Sequence, residues 1–393
     1  MNKKNILLIT YDFPGILSPE SIQVQRRAIC LANNGHKVFV LTSHENPLFE
    51  SYDNELLIEN ENIFIFRTKR PYFEYILNVY FKLYDIADRK HWWKYYAVQF
   101  AKKMIKKYNI NLLYSDSHPF VSHLVGFEVK KSFPDLYWVA HFSDPWTLNP
   151  YTTYKTKIQK NINIKLEQKI LTLCDSLTVT SDKTKDLYLK HFKFLNNKIS
   201  TVPHMFDASL YNNKIGITKN KISIIHTGNI YGLRTIKYLL EVLRENEYMN
   251  LEFIFYGKVK REEIDLISKY KLLETVKIYS QISYKKSIDI ISNADFLLVV
   301  DAPLVDSPFF PSKLVDYIGS NKPIFALTSK KSSTEDILKF ISNDQFIASA
   351  DCKKDITVVL ERMNHEYSNS FKNIEYFNMN NYSLLKNIFE SEI

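Results

Sequence analysis

Four stretches of the 393-residue chain bring together residue types that bind anions or act on hydroxyl groups. The first is His226-Thr227-Gly228-Asn229-Ile230-Tyr231-Gly232-Leu233-Arg234. Two glycines within five residues, followed by an arginine at a helix start, can cradle a diphosphate. Backbone N–H groups and the helix dipole face the anion, and the guanidinium grips it bidentately. An ordinary turn with a surface arginine is the alternative. The second is Pro311-Ser312-Lys313-Leu314-Val315-Asp316-Tyr317. Pro311 and Ser312 suit a helix start, which sets Lys313 beside free N–H groups. Asp316, one turn on, can accept hydrogen bonds from ribose hydroxyls; the alternative is a capped structural helix. The third and fourth, Tyr114-Ser115-Asp116-Ser117-His118-Pro119 and Ala140-His141-Phe142-Ser143-Asp144-Pro145-Trp146, each follow an expected strand with a histidine and an acid. A histidine near neutrality serves as acid, base or hydroxyl ligand; the alternative is a satisfied structural histidine, more so for His141. The spacing is not that of a metal site.

Glycine sharpens the reading, because the chain has only 8, against a usual share of about 7%. A chain so poor in glycine keeps many of them where the backbone needs positive φ or close approach. Gly15, in Tyr11-Asp12-Phe13-Pro14-Gly15 after the first expected strand, is a candidate for an N-terminal ligand loop, with a simple turn as the alternative.

The elements that must position these residues follow from hydropathy. Short, continuously apolar, β-branched or aromatic runs at Asn5–Thr10, Lys37–Thr42, Ile63–Arg67, Leu112–Ser115, Trp138–Phe142 and Ser176–Thr180 read as strands of a parallel sheet buried on both faces. Helical stretches lie between them: Ser21–Asn34, parts of Phe73–Tyr108, Pro119–Phe133, Tyr154–Leu173 and Lys183–Phe192. The pattern restarts with strands at Ser223–Thr227, Glu252–Tyr256, Val276–Tyr279, Asp295–Val300 and Ile324–Leu327. Their helices are Thr235–Glu247, Glu262–Lys271, Tyr284–Ala294, Ser312–Ile318 and Ser333–Ile341. Alternating βα units imply parallel sheets with helices on both faces. The fold class is therefore α/β, with two Rossmann-like, doubly wound domains. The boundary is expected near the polar stretch Pro203–Lys221, with its Asn212, Asn213 and Asn220.

Charge is uneven. Residues 1–200 hold 28 Lys and Arg against 19 Asp and Glu, whereas residues 201–393 hold 24 against 24. A basic half suits an anionic ligand, an anionic membrane surface or nucleic acid. No zinc finger, RNP-type motif or run of five basic residues supports the last. Trp93, Tyr96, Phe100, Met104 and Tyr108 fall at helical spacing with Lys102, Lys103, Lys106 and Lys107 interleaved. A helix packed on the sheet with a solvated lysine face is the favoured reading, and a membrane-surface helix the alternative. Three distant cysteines exclude a disulfide scaffold, and no apolar run of 18 residues exists. The short N-terminal apolar run is not a signal peptide, and a cytoplasmic protein is expected.

These residues, in this order, resemble the retaining family 4 glycosyltransferases of GT-B architecture. Ile6–Thr10, Ser18-Pro19-Glu20-Ser21-Ile22 and Asn34-Gly35-His36-Lys37-Val38 resemble that family's first βαβ unit. Phe142-Ser143-Asp144-Pro145-Trp146 is similar to its RDPW segment. Glu167, Cys174-Asp175 and Val202-Pro203-His204-Met205-Phe206-Asp207 resemble the end of its first domain. Thr227–Arg234 resembles its donor-phosphate loop, and Pro311–Tyr317 with Lys322-Pro323-Ile324 its donor-nucleotide segment. The resemblance implies two domains facing a cleft: an acceptor domain over 1–205, a nucleotide-sugar donor domain over 206–375, and a terminal segment, 376–393, whose helix near Tyr382–Glu390 packs back on the first. Arg234 matches the family's diphosphate-gripping lysine, and Asp316 the second glutamate of its E-x7-E pair. Departures are Pro308 in place of the first glutamate, with Asp306 nearby; Asn229 where many members have arginine; His141 where relatives often carry an acid; and a glycine-rich loop reduced to Gly15.

The expected activity is transfer of a sugar from a nucleoside-diphosphate sugar to a glycan or lipid-linked acceptor of capsule, lipopolysaccharide or O-antigen assembly. Neither metal nor cofactor is expected, and no nucleic acid. Gly228, Asn229, Arg234, Ser312, Lys313 and Asp316 would hold the donor. Arg234 and Lys313 would stabilise the leaving diphosphate. His118 and Asp144 would orient the acceptor or the transferred sugar. Peripheral contact with the inner face of an anionic membrane is expected. A nucleotide-sugar epimerase and a GT-B protein that binds without turnover are the alternatives.

Overall fold

The computed structural model describes residues 3–16, 18–44, 60–84, 90–211, 221–246, 248, 250–363 and 371–389. The asparagines at 212, 213 and 220, and the expected helix ends at Glu247 and Glu390, lie outside them. The chain forms two compact units: Met1–Pro203 together with Met379–Ile393, and His204–Asn378.

The first unit is built on seven parallel strands, β1 (Asn5–Ile9), β2 (Lys37–Thr42), β3 (Ile63–Arg67), β4 (Leu112–Ser117), β5 (Tyr137–Phe142), β6 (Ser176–Val179) and β7 (Ile199–Thr201), in the order β3-β2-β1-β4-β5-β6-β7. Its helices are α1 (Pro19–Asn33), α2 (Glu74–Tyr84), α3 (Trp93–Tyr108), α4 (Val121–Ser132), α5 (Lys157–Leu173) and α6 (Asp182–His191). Local chemistry sets the helix starts. Ser18 and Thr156 close capping boxes with Ser21 and Gln159 on α1 and α5, each satisfying N–H groups that a helix start leaves orphaned. The last helix of the chain belongs here too. Its preceding Tyr382 meets His36 Nε2 at 2.5 Å, while His36 Nδ1 accepts from the Lys4 N–H.

The second unit has six parallel strands, β8 (Ile222–Thr227), β9 (Leu251–Tyr256), β10 (Val276–Tyr279), β11 (Phe296–Val300), β12 (Ile324–Thr328) and β13 (Ile347–Ser349), in the order β10-β9-β8-β11-β12-β13. Its helices are α7 (Lys237–Glu245), α8 (Arg261–Lys269), α9 (Tyr284–Ser292), α10 (Ser312–Gly319), α11 (Ser333–Phe340) and α12 (Lys353–Met363), and α13 (Ser383–Phe389) is the first unit's terminal helix. In each sheet the strand order reverses once, between β1 and β4 and between β8 and β11. Those are the switch points where open α/β sheets bind ligands, beyond the strands' carboxyl ends.

Some expectations differ from what is seen. β7, β13 and α12 were not expected; the two strands are three-residue edge segments, too short for a hydropathy pattern. β4 runs on through the polar Ser115-Asp116-Ser117, because those side chains are buried among partners rather than solvated. α7 starts two residues later than Thr235. The Thr235 hydroxyl and the Ile236 N–H both donate to Glu263 Oε1, at 2.7 and 2.8 Å, which holds them out of the helix. On α3, Trp93 and Met104 are buried in the core and Lys103, Lys106 and Lys107 are exposed, so its apolar stripe packs on the sheet.

Candidate functional site

In the second unit, β8 ends in a glycine notch. Gly228 has φ of 106° and Gly257, after β9, φ of 140°. A Cβ on Gly257 would lie 2.5 Å from the Gly228 carbonyl oxygen, so only glycine fits. The loop is fastened to the end of β9. Asn229 Oδ1 accepts from the Lys258 N–H and the Ile230 N–H donates to the Lys258 carbonyl, both at 2.8 Å. Asn229 therefore spends its side-chain carbonyl on the loop itself. The loop then turns at Gly232, φ 61°, and brings the Arg234 guanidinium to 4.8 Å over the Tyr231 ring. Arg234 precedes α7 instead of opening it.

α10, which follows β11, presents Lys313, Asp316 and Tyr317 at i, i+3 and i+4, one face of a helix. The Tyr317 hydroxyl accepts from the Thr227 N–H at 3.0 Å, which ties α10 to the end of β8. Lys313 Nζ reaches back to the notch. It donates to His226 Nε2 at 3.1 Å, and a Cβ on Gly228 would stand 2.9 Å from it. Asp316 Oδ1 accepts from the Tyr211 and Tyr284 hydroxyls at 2.8 and 3.1 Å. Ser312 is the first residue of α10, and the Asp306 side chain is exposed.

The electrostatics set this place apart. Burial, together with the nearby Arg234 charge, pushes the Lys313 ammonium down to about 7, against a smaller upward pull from Asp301. Burial and the Lys313 charge push His226 well below its ordinary value. Burial raises Asp301 against the hydroxyls of Thr334 and Thr328, which donate to its Oδ2. Among the described residues, neither Lys313 nor Arg234 forms an ion pair with a carboxylate. Two cations brought together at a switch point with no carboxylate paired directly to either are placed to meet an anion.

In the first unit, His118 and Asp144 stand on the loops after the adjacent strands β4 and β5. The loops are fastened together: Phe120 stacks on Trp146 at 4.6 Å with the rings 4° apart, and the Ser143 hydroxyl donates to the Ser117 carbonyl. The Asp144 loop is clamped from α5. Glu167 accepts from the Thr147 N–H at 3.2 Å, from the Thr147 hydroxyl, and from Tyr188 Oη at 2.6 Å, while Tyr188 Oη accepts from the Trp146 N–H at 3.1 Å. Both His118 and Asp144 stay half-buried. Two other members of these stretches are removed from solvent. Asp116 is bound to the buried Arg27, NH2 to Oδ2 at 2.8 Å, and His141 is buried with Nδ1 at 2.9 Å from Thr178 Oγ1. Gly15, φ 105°, lies in a loop held by Arg67, which donates to the Pro14 carbonyl at 2.7 Å. Among the described residues, no group of three His, Cys, Asp or Glu is placed to hold a metal ion, and no helix is long and apolar enough to cross a membrane.

Residue type alone singled out Arg234, Lys313 and Asp316, but not their supports. His226 and Tyr317 stood inside the quoted motifs without a role, and Tyr211, Gly257, Tyr284 and Asp301 carried no signal. Each is recruited by sheet order from a distant part of the sequence.

Residues 22–210 match the family model described as Glycosyltransferase Family 4. No curated protein sequence matches the chain. Solved structures share the fold over the whole length. Sucrose-phosphate synthase from Thermosynechococcus elongatus superposes with a TM-score of 0.71 at 14% identity, covering 99% of this chain and 100% of that one. The HepE protein of Anabaena in complex with UDP gives 0.66 at 13% identity over 98% and 99%. The lipopolysaccharide outer core galactosyltransferase WaaB gives 0.64 at 14% identity over 99% and 100%.

Proposed function

We propose that the chain, whose residues 22–210 match the Glycosyltransferase Family 4 model and whose fold is that of solved glycosyltransferases, transfers a sugar, with retention, from a nucleoside-diphosphate sugar to a glycan or lipid-linked acceptor of cell-surface polysaccharide assembly, such as capsule, lipopolysaccharide or O-antigen. The observation that carries the donor half is the pair of cations without a carboxylate, Arg234 and Lys313, at the switch point of the second sheet. The HepE protein of Anabaena, of the same fold, is a complex with UDP.

In this reading the diphosphate lies on the Gly228 notch, where Arg234 and Lys313 stabilise the charge that grows on it as the glycosidic bond breaks. Asp316, aimed by two phenols, takes the ribose hydroxyls. Asn229 and Ser312 contribute through the loop and the start of α10. His118 and Asp144, on their fastened loops, orient the acceptor or the transferred sugar. The departing phosphate oxygen takes the acceptor's proton, so the reaction calls for no protein base. Neither a cofactor nor a metal enters this scheme.

An anionic membrane surface fits the first unit, but through α2 instead of α3. Tyr72, Phe73, Tyr75, Ile76, Val79 and Tyr80 are all exposed around α2, in a half of the chain that carries the whole positive excess. A continuous exposed apolar face of this kind marks an interaction site. The triple variant Phe73→Ser, Ile76→Ser, Tyr80→Ser is expected to lose sedimentation with anionic vesicles; unchanged binding refutes this part.

The donor site is tested by thermal stabilisation against nucleotide sugars and free nucleoside diphosphates, with and without Arg234→Ala. One nucleotide family should raise the Tm of the wild type by mass action and leave the variant unmoved. Turnover with acceptors then separates a transferase from an inert binder.

A further inference from the structure

A lysine drawn partly out of water ordinarily meets a carboxylate, because an unpaired charge away from solvent is costly. Lys313 meets a neutral base instead. His226 Nδ1 lies 2.8 Å from the Leu298 carbonyl oxygen, and a carbonyl can only accept, so the proton is on Nδ1. That bond fixes the tautomer and leaves the Nε2 lone pair facing Lys313 Nζ at 3.1 Å. The imidazole is buried. The nearest acid acting on Lys313 is Asp301, at the end of β11, whose carboxylate already accepts from Thr328 and Thr334. Gly228 completes the arrangement, since a Cβ there would stand 2.9 Å from the ammonium and crowd it.

We infer that His226 is a positioning residue for the leaving group: its neutral Nε2 holds the Lys313 ammonium over Gly228 without neutralising it, so that the full charge is presented to the diphosphate. The inference rests on the donor-site reading. A carboxylate at position 226 would hold the lysine as firmly and cancel its charge; an apolar side chain would preserve the charge and lose its aim. The groups that face Lys313 are His226 on β8, Arg234 on the loop after it, and Asp301 just beyond β11. Because Arg234 and burial together lower Lys313, a bound diphosphate must restore its proton.

The test is isothermal titration of UDP, GDP, ADP and TDP into wild type, His226→Gln, His226→Glu and His226→Phe, from pH 6 to 9. For the nucleotide that the wild type binds, affinity should fall above about pH 7, approaching tenfold per unit as each binding event takes up a proton. His226→Glu should bind at least tenfold more weakly at pH 6.5 and lose that pH dependence, because its ion pair keeps Lys313 protonated. His226→Phe should also weaken binding, and His226→Gln, which keeps a neutral acceptor, should recover most of that loss. A purely structural histidine would alter Tm in all three variants and leave the pH midpoint where it is. If the wild type binds a nucleotide and His226→Glu matches its affinity and pH profile, the inference is overturned while the donor site stands. If the wild type binds none of the four, the donor-site reading falls and takes this role with it.

Discussion

In the first unit the buried Arg27 guanidinium lies 2.8 Å from the Asp116 carboxylate; in the second the half-buried Lys313 ammonium lies 3.1 Å from an imidazole lone pair. Both cations sit near the switch point of a parallel sheet, and both bridge elements far apart in sequence. Arg27 is neutralised where it stands. Burial pushes Asp116 up to about 6 even beside the guanidinium, so that pair serves to hold α1 against β4. Among the described residues, Lys313 has no carboxylate in direct contact, and burial with the Arg234 charge holds it down to about 7 against a smaller pull from Asp301. A cation kept that way is stabilised only when an anion arrives. The contrast separates structural charge from charge reserved for a ligand, on one architecture repeated twice.

The largest effects should divide along that line. Arg27→Met strands Asp116 in the core, and breaking a buried pair in this way costs about 3–5 kcal/mol. A denaturant melt should show it as a lower midpoint with little change in slope. Lys313→Met removes a partly buried charge that no carboxylate contacts directly, so stability should hold or rise by about 1 kcal/mol. Sugar transfer in the same variant should fall by about 10²–10³, the usual loss when one group that stabilises developing charge is removed. A Lys313→Met protein that melts early and retains its activity would invert the assignment.

Arg234 sharpens the comparison, because the donor-site reading sets it directly on the ligand while its charge also acts on Lys313. Its guanidinium helps to depress the lysine to about 7. In the wild type at pH 8 Lys313 is therefore mostly neutral before the ligand binds. In Arg234→Gln the lysine's folded pKa should rise, so more of it is charged at that pH. The variant should bind nucleoside diphosphate about tenfold more weakly at pH 6.5, one lost charge-assisted contact. The penalty should shrink towards pH 8. Titration calorimetry at the two pH values decides it: an equal penalty at both means that the two cations do not communicate.

How much of this could be read beforehand depends on the distance over which each feature is written. Strands such as Val38–Leu41 or Leu297–Val300 are legible because burial on both faces of a parallel sheet demands unbroken apolar runs. Arg234, Lys313 and Asp316 were legible as types beside glycine and proline signals. The state of each was not. His226 and Lys313 are 87 residues apart, and Arg27 and Asp116 are 89 apart; only the strand order brings them together. Asp116 and Asp144 look alike in sequence, each an acid close to a histidine, yet one is sealed by an arginine from α1 and the other stays half-buried. Asn229 reads as a ligand residue, but its carbonyl is claimed by the Lys258 N–H, whose position depends on how β9 pairs with β8.

The smallest predicted effect concerns Asp316, an acid of the proposed donor site that accepts from two phenols. Tyr211 and Tyr284 both donate to its Oδ1, and such bonds contribute about 0.5–1.5 kcal/mol each. They steady the carboxylate in the orientation that the donor-site reading requires. Tyr284→Phe should therefore raise the Kd of the preferred nucleoside diphosphate about two- to tenfold. The 2′,3′-dideoxy analogue, which lacks the hydroxyls, should bind wild type and variant equally. Asp316→Asn should abolish the preference for the ribo form altogether. If Tyr284→Phe weakens both nucleotides alike, the phenols serve the packing of α9 on α10 and Asp316 belongs with Asp116 among the carboxylates used for structure. If only the ribo form suffers, the second unit uses neutral donors to aim its acid just as it uses a neutral acceptor to aim its lysine.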